Sequence, residues 1–377
     1  MGSGIAQVAA VAGHPVILQD VEAAAITRAR ASIESALARE TEKARLTAAA
    51  AEAAKSRIRY VAGGDLHALA PCALVIEAIV ERLEPKRETF ATLERVVAPE
   101  AVLATNTSAL SVTAIAAACQ RAERVIGLHF FNPAPVMPLV EVVRAHATSD
   151  AVVDTARTFA QHWGKITVIA ADTPGFIVNR IARPFYGEAL RILDERIADC
   201  ATIDWAMRQL GGFRMGPFEL MDLIGNDVNF AVTSAVYEGF FFDPRYKPSL
   251  TQRRMVAANL LGRKTGQGYY DYRDGAIRPT PSEDATLGRT IVNRILAMLI
   301  NEAVDAVLWG VATPADIDVA MVKGVNYPRG LLAWAEELGY RVVLERLEAL
   351  QAEYGEDRYR PSPLLRRLAA SGGTLRA

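Results

Sequence analysis

The sequence predicts an α/β domain built on a parallel sheet, followed by two all-α domains. Short apolar runs alternate with longer helix-forming stretches over residues 1–170, a pattern typical of a doubly wound parallel sheet. From about Pro174 onward amphipathic helices replace the strand pattern, and this helical region contains an internal repeat. The predicted boundaries are 1–171 for the α/β domain, 172–272 for the first helical domain, 273–287 for a linker and 288–377 for the second helical domain.

Each α/β element follows from local composition. Six short apolar runs are predicted to be strands: Pro15–Gln19, Ala73–Ala78, Val102–Ala104, Val125–Leu128, Leu139–Val143 and Ile166–Ala170. Runs of this length suit strands that are buried on both faces. The stretches between them are rich in Ala, Glu, Arg and Lys, which favour helix. They predict helices at Asp20–Lys55, Pro85–Ala98, Ser111–Ala118 and Ser149–His162.

The repeat lies on both sides of the linker. Ile177-Val-Asn-Arg-Ile181 recurs 114 positions later as Ile291-Val-Asn-Arg-Ile295, and the register then holds without a gap to Gly225 and Gly339. Two unrelated Ala-rich helices would not keep polar pairs and glycines in one register. A duplicated helical module is therefore predicted, with the two copies packed together as a pseudo-two-fold pair.

Composition excludes several classes of protein. The net charge of −1 argues against a nucleic-acid binder. Three scattered cysteines indicate neither a disulfide framework nor a zinc site, so no metal is predicted. The apolar stretch Thr290–Ala312 is interrupted by charged residues, which favours a buried helix over a membrane span. With no secretory signal pattern at the start, a cytoplasmic protein is expected.

The first residues resemble part of a Rossmann-type dinucleotide fingerprint. Gly2 opens a helix, and Asp20 ends the strand that follows. In such a unit the pyrophosphate sits on the helix N-terminus, and the acidic residue binds the ribose. The strand and two glycines that normally precede this helix are not in the sequence, so the expected domain lacks its first strand. We expect those elements upstream of Met1, and tighter NAD binding in a form longer by roughly 10–15 residues.

Eight segments, in order, resemble the NAD-dependent L-3-hydroxyacyl-CoA dehydrogenases of β-oxidation. They are residues 1–7, 77–81, 106–110, 127–133, 139–143, 172–180, 216–222 and 262–270. The second helical module is similar to the duplicated C-terminal domain of some members, among them bacterial 3-hydroxyadipyl-CoA dehydrogenases. The resemblance implies helical domains like the C-terminal domain of 6-phosphogluconate dehydrogenase.

The resemblance also implies four catalytic residues. His129 ends an apolar strand and matches the base, and Glu141 matches its partner. From the pattern alone, a structural or solvent-facing role is favoured for His129. Glu141 could be an exposed strand residue, although its apolar neighbours on the same face make a buried pairing more attractive. Ser108 matches a serine that touches substrate and cofactor, although it could instead cap the helix near Ser111. Asn179 matches a residue that polarises the substrate oxygen, whereas its repeat partner Asn293 is expected to be structural.

Cofactor and substrate contacts are implied in the same way. The positions that match NAD contacts are Gly2, Asp20, Glu81, Lys86, Ser108, Asn132 and Lys264. Asp20 favours NAD over NADP because it would repel a 2′-phosphate. Lys43 matches a position that binds the CoA phosphates. Without the resemblance, Glu81 and Lys86 would be interpreted as a solvated helix start, and Lys43 and Lys264 as exposed charges.

The resemblance implies oxidation of (S)-3-hydroxyacyl-CoA to 3-oxoacyl-CoA with NAD, in fatty-acid or aromatic catabolism. A preference for 3-hydroxybutyryl-CoA or 3-hydroxyadipyl-CoA stays open. So does a non-catalytic relative that has lost its cofactor loop, although the four catalytic matches disfavour it. The expected partner is an acyl-CoA substrate, without nucleic acid or membrane. The chain is expected to be a monomer with pseudo-dimeric helical modules, or a homodimer.

Overall fold

The computed structural model describes residues 1–375. The chain forms two compact units, of which the first is Met1–Asp172 and the second begins at Thr173. The first unit is the expected α/β domain, and the second contains both helical modules. No helix within residues 1–375 is long and apolar enough to cross a membrane.

Seven strands make up the sheets of the first unit: Val16–Asp20 (β1), Ile58–Ala62 (β2), Leu74–Glu77 (β3), Val102–Thr105 (β4), Val125–Phe130 (β5), Leu139–Arg144 (β6) and Ile166–Ala171 (β7). β1 and β2 form a parallel pair, and the other five form a sheet in the order β3-β4-β5-β6-β7. Within residues 1–375, no strand joins β1 to β3.

The five-stranded sheet departs from the predicted parallel arrangement at one pair. β6 runs antiparallel to β5, whereas β3, β4 and β5 are parallel neighbours and β7 is parallel to β6. The physical reason is the short loop 131–138, which can join a hairpin but is too short for the crossover that parallel strands need. This hairpin places residues of β5 directly opposite residues of β6.

The helices of the first unit are Gly2–Val11 (α1), Ala23–Glu42 (α2), Ala48–Ser56 (α3), Leu83–Val96 (α4), Val112–Ala116 (α5) and Asp150–His162 (α6). The single helix predicted for Asp20–Lys55 is in fact two, α2 and α3. The chain turns at Ala44, which has a φ of 54°, and the Thr47 side chain caps α3 by accepting from the Ala50 amide at 3.1 Å. Strand β2 was not predicted, because its exposed Arg59 interrupts the apolar run.

The helices of the second unit fall into two series on either side of the linker. The first series is Val178–Ile181 (α7), Arg183–Asp194 (α8), Cys200–Trp205 (α9), Pro217–Ile224 (α10), Asn226–Gly239 (α11) and Leu250–Ala257 (α12). The second is Ala285–Leu308 (α13), Pro314–Val325 (α14), Leu331–Leu338 (α15), Tyr340–Tyr354 (α16) and Pro363–Ser371 (α17). No helix or strand lies between residues 273 and 284.

The repeated Ile-Asp and Gly positions form the same helix cap in both modules. Asp204 accepts from the Phe218 and Glu219 amides at the start of α10, each at 2.9 Å. Asp318 accepts from the corresponding amides at the start of α15, at 2.8 and 3.0 Å. A methyl group on Gly216 would lie 2.3 Å from Cγ of Asp204, and one on Gly330 would lie 2.2 Å from Cγ of Asp318. The carboxylate thus requires glycine at each cap.

We therefore expect Gly216→Ala and Gly330→Ala each to lower the free energy of unfolding by about 1–3 kcal/mol, because the added methyl group overpacks a buried cap. Gly187→Ala is the matched control. Its methyl group would lie 3.5 Å from the nearest atom, Nη2 of Arg358, and alanine inside a helix such as α8 should stabilise by about 0.5–1 kcal/mol. Urea unfolding of the three variants gives the comparison, and equal effects at all three positions would contradict it.

Two buried ion clusters join the helical modules reciprocally. Glu302 of the second module accepts from Nε of Arg180 at 2.5 Å, from Nη1 of Arg245 at 3.2 Å and from the hydroxyl of Tyr246 at 2.5 Å. Glu188 of the first module accepts from Nε of Arg294 and the hydroxyl of Tyr359, both at 3.0 Å. The contacts confirm that the modules pack against each other.

The two ion clusters show that the repeat continues past Gly225 and Gly339, where the gapless register ends. Arg180 and Glu188 correspond to Arg294 and Glu302 at the offset of 114. The pair Arg245-Tyr246 corresponds to Arg358-Tyr359 at an offset of 113, and Arg358 lies 3.3 Å from Glu188. Each module therefore directs two arginines and a tyrosine at a glutamate of the other module. In an isologous dimer, each subunit makes the same contacts with the other. The two modules make such reciprocal contacts within one chain.

Candidate active site

A buried histidine–carboxylate pair lies on the β5–β6 hairpin. The antiparallel register places His129 directly opposite Glu141, and Nδ1 of His129 lies 2.6 Å from Oε2 of Glu141. The glutamate is fully buried and the histidine is 5% exposed. The ring of Phe131 packs against the imidazole, with centroids 4.6 Å apart. The structure thus brings together the two residues that the sequence predicted to be partners, and Glu141 is not the exposed strand residue of the alternative interpretation.

This pairing decides which imidazole nitrogen can act as a base. A carboxylate only accepts hydrogen bonds, so the short contact assigns the proton of a neutral imidazole to Nδ1. The lone pair is then on Nε2, which can take up a proton, and Glu141 stabilises the imidazolium that results. The arrangement is that of a general base held in one orientation by a buried carboxylate.

The carboxyl ends of β3 and β4 are joined by a buried network. Glu77 accepts from Nζ of Lys86 at 2.8 Å and from the hydroxyl of Thr105 at 2.7 Å. Lys86 is 1% exposed, so it is not the solvated residue that composition alone suggests. Its ammonium group also lies 3.3 Å from Oε2 of Glu81. The network ties the loop after β3 to the sheet edge where ligands bind in open α/β folds.

Glu81 holds the loop that carries Ser108. One carboxylate oxygen accepts from the Thr107 hydroxyl at 2.6 Å, from the Ser108 amide at 2.8 Å and from the Ser108 hydroxyl at 3.2 Å. Burial alone would raise the pKa of Glu81, but these hydrogen bonds and the charge of Lys86 outweigh burial and lower the pKa. The helix α5 is capped by Ser111, which accepts from the Ala114 amide at 3.1 Å, so Ser108 does not have the capping role considered from the sequence.

The N-terminus of α1 lies where β1 and β3 end. A methyl group on Gly2 would lie 3.9 Å from Cδ1 of Leu18 in β1 and 3.8 Å from Cβ of Ala78, directly after β3. No protein atom crowds this position. A glycine here allows the protein backbone to come close to a bound ligand. Asp20 ends β1 with an exposed side chain that accepts from the Glu22 amide at 3.0 Å. These features fit the pyrophosphate and ribose of NAD.

The loop after β5, which contains Asn132, lies against the same end of α1. A methyl group on Gly4 would lie 3.3 Å from Cβ of Ala134 and 3.2 Å from Cδ of Pro135. Lys165 fixes this loop from the other side, donating to the carbonyl oxygens of Ala134 at 2.5 Å and Met137 at 2.8 Å. Burial lowers the pKa of Lys165. The buried ammonium group therefore holds the loop between His129 and β6 in place.

We expect Lys165→Met to lower the free energy of unfolding by about 1–3 kcal/mol, because two carbonyl groups lose a charged donor. The Michaelis constant for NAD should rise at the same time, since the loop with Asn132 is no longer held. Lys165→Arg keeps a cationic donor and should recover part of both effects. Urea unfolding and steady-state kinetics measure them, and a Lys165→Met protein with unchanged constants would contradict the assignment.

The remaining predicted residues belong to other elements. Lys43 is an exposed residue at the C-terminal end of α2. In the second unit, Asn179 lies on α7, and its backbone carbonyl accepts from Nε of Arg183 at 2.7 Å. Lys264 lies on the short helix Arg263–Thr265 and forms an ion pair with Asp227. The carboxylate of Asp222 anchors that segment by accepting from the Tyr269 and Tyr270 amides at 3.0 and 2.9 Å.

Several supporting residues were not predicted from the sequence. Asn106 accepts from the Phe130 amide at 2.9 Å and so connects the loop after β4 to the strand of His129. Glu77 and Lys165 are equally central to the site. Asn106 and Glu77 fall inside segments that resemble the family, but their types alone also suit a turn and a strand end. Their partners become visible only when strands distant in sequence are adjacent.

Comparisons with known proteins agree with this geometry. A family model for the NAD-binding domain of 3-hydroxyacyl-CoA dehydrogenase matches residues 1–173, and a model for the C-terminal domain matches twice, at 175–272 and 291–376. The 3-hydroxyadipyl-CoA dehydrogenase of Escherichia coli K12 is 42% identical, covering 98% of this chain and 95% of its own length. The 3-hydroxybutyryl-CoA dehydrogenase of Bradyrhizobium diazoefficiens is 44% identical, covering 74% and 94%.

A solved structure is similar over the same extent. The crystal structure of 3-hydroxybutyryl-CoA dehydrogenase from Escherichia coli K12 superposes with a TM-score of 0.91 at 41% identity, covering 98% of this chain and 96% of that chain.

Proposed function

This chain belongs to the 3-hydroxyacyl-CoA dehydrogenase family, and we propose that His129, oriented by Glu141, is the base of its reaction. The enzyme oxidises 3-hydroxyacyl-CoA with NAD. NAD, when bound, accepts the hydride from the carbon that carries the hydroxyl group. The chain itself must remove the hydroxyl proton. The single observation that carries the proposal is the 2.6 Å contact between Nδ1 of His129 and the fully buried Glu141.

The proposed proton path follows from that contact. The substrate hydroxyl donates its proton to Nε2 of His129 as the carbon–oxygen double bond forms. The positive charge on the imidazole is then stabilised by Glu141, which cannot be solvated because it is buried. In the reverse direction the imidazolium returns the proton to the 3-oxo oxygen.

The other predicted residues have binding roles in this proposal. Ser108 contacts substrate and cofactor, with its loop held by Glu81. Asn179 donates a hydrogen bond to the substrate oxygen, and Lys43 binds the CoA phosphates. For NAD, the proposed contacts come from Gly2 and Asp20 at α1 and β1, and from Glu81, Lys86, Asn132 and Lys264. Because Lys86 is buried, its proposed contribution to NAD binding is electrostatic and acts through Glu77 and Glu81.

A finer proposal concerns the acyl chain. A relative that is 42% identical over 98% of this chain, including the second module, is named for 3-hydroxyadipyl-CoA, while the solved structure that covers the same 98% is named for 3-hydroxybutyryl-CoA. We therefore propose a dicarboxylic 3-hydroxyacyl-CoA as the preferred substrate and 3-hydroxybutyryl-CoA as the second candidate.

The test is the rate of NADH formation from (S)-3-hydroxyadipyl-CoA, (S)-3-hydroxybutyryl-CoA and a long-chain (S)-3-hydroxyacyl-CoA. The highest kcat/KM is expected for the adipyl substrate. A higher value for the butyryl substrate would overturn the finer proposal alone. If none of the three substrates is oxidised although NADH still binds by fluorescence, the proposed catalytic role of His129 is overturned.

A further inference from the structure

Arg183 is a buried cation for which the described residues supply no acidic partner. The side chain is 6% exposed. Nε donates to the backbone oxygen of Asn179 at 2.7 Å, Nη1 donates to the hydroxyl of Thr233 at 3.1 Å, and the guanidinium group lies 5.0 Å from the ring of Tyr186. Within the described residues, no carboxylate forms an ion pair with it. A buried charge without a counter-charge is strongly unfavourable.

The neighbouring arginines of the second unit differ in this respect. Arg180 and Arg245 share Glu302 and Asp305, and Arg358 lies beside Glu188. Their charges are therefore compensated within the protein. The uncompensated charge belongs to Arg183 alone among the arginines of this cluster.

A narrow cavity with room for about one water-sized sphere lies beside Arg183 and opens to solvent. Its charged lining residues are all cationic, namely Arg183, Arg245, Lys247 and Arg358, and its polar lining includes Thr233 and Tyr186. Among the described residues, no aspartate or glutamate lines it. A space of that size is too small for a polyatomic oxyanion.

The repeat shows that the fold does not require this cation. At the offset of 114, Arg183 corresponds to Ala297 and Thr233 corresponds to Leu347. Both of these residues are fully buried in the second module. The corresponding positions are therefore filled once by apolar residues and once by an arginine and a threonine beside a cavity.

We propose that this cavity binds a small monatomic anion, with chloride as the ion to test. The guanidinium group of Arg183 is the main ligand, and the positive charge of Lys247 in the cavity lining favours entry. The bound anion supplies a negative charge to Arg183. Arg183 lies one helical turn after Asn179. The inference does not depend on the proposed roles of the catalytic residues.

The first test is the melting temperature of the full chain as chloride replaces gluconate at constant ionic strength. For the unsubstituted protein we expect a rise that saturates, because a ligand that binds only the folded state stabilises it. Arg183→Gln should remove the dependence. Arg346→Gln is the matched control, since Arg346 is a partly buried arginine of α16 without an acidic partner in the described chain and lies outside the cavity lining. It should keep the dependence.

An equal chloride response in Arg183→Gln would overturn the proposal, as would no response in the unsubstituted protein. A second measurement covers the case in which Arg183→Gln does not fold. Crystals of the unsubstituted protein grown in bromide should show an anomalous peak beside the Arg183 guanidinium group. Density explained by water alone at that position would contradict the site.

Discussion

His129→Gln is expected to lower kcat by about 10²–10⁴-fold, the range associated with loss of a positioned general base. Glutamine can still form hydrogen bonds but cannot take up the hydroxyl proton. The proposed NAD contacts lie mainly at α1 and the ends of β1, β3 and β4, so NADH should still bind. Steady-state kinetics and an NADH fluorescence titration measure the two effects separately.

Glu141→Gln is the companion variant. It keeps the size of the side chain and removes the charge that stabilises the imidazolium, so kcat should fall strongly while the fold persists. Thermal melts serve as the control for folding. A His129→Gln enzyme that kept more than about a tenth of the normal kcat would remove His129 from the role of base.

Glu302→Ala is expected to have the largest effect on stability, a loss of about 3–5 kcal/mol. Removing one member of a buried ion cluster leaves the others charged and unsolvated. Arg180 and Arg245 would share Asp305 alone, and the hydroxyl of Tyr246 would lose its acceptor. Glu188→Ala is the matched variant in the other module. It should cost less, because Arg294 keeps a two-point contact with Glu195 at 2.7 and 3.0 Å.

Urea unfolding at neutral pH compares these variants, and a larger loss of stability for Glu188→Ala would contradict the argument.

The cluster around Glu302 also predicts that stability depends on pH. Burial alone would raise the pKa of Glu302, but the charges of Arg180 and Arg245 outweigh burial and lower the pKa. Because the folded pKa is depressed, this contribution is complete above the ordinary glutamate pKa of about 4.3. It is lost as the pH falls through the lower value. Glu302→Gln should weaken that acid dependence.

The sequence predicted the class of fold and the order of most elements, because the strands are short apolar runs between good helix formers. It missed β2 because the alternation of Ile58, Arg59 and Tyr60 is too brief to stand out from the helix before it. The antiparallel direction of β6 was also missed. Direction depends on how a short connection turns in space, which the composition of β6 itself does not contain.

The sequence predicted those parts of the candidate site whose residue types match the chemistry of the family. The pairing of His129 with Glu141 was expected from the family resemblance, and the register of the hairpin confirms their contact. The role of Glu81 in holding Ser108, and the hydrogen bond between Thr105 and Glu77, depend on contacts between residues that are 26 to 28 positions apart in sequence. No local pattern encodes such contacts.

The most direct test of the central claim, that His129 and Glu141 act as one catalytic unit, is the kcat of the double variant His129→Gln with Glu141→Gln. Groups that act as a unit are strongly non-additive. If Glu141 works only through His129, the double variant should be within about threefold of His129→Gln alone. A double variant whose loss equals the product of the two single losses would show that the residues act independently, and would contradict the account.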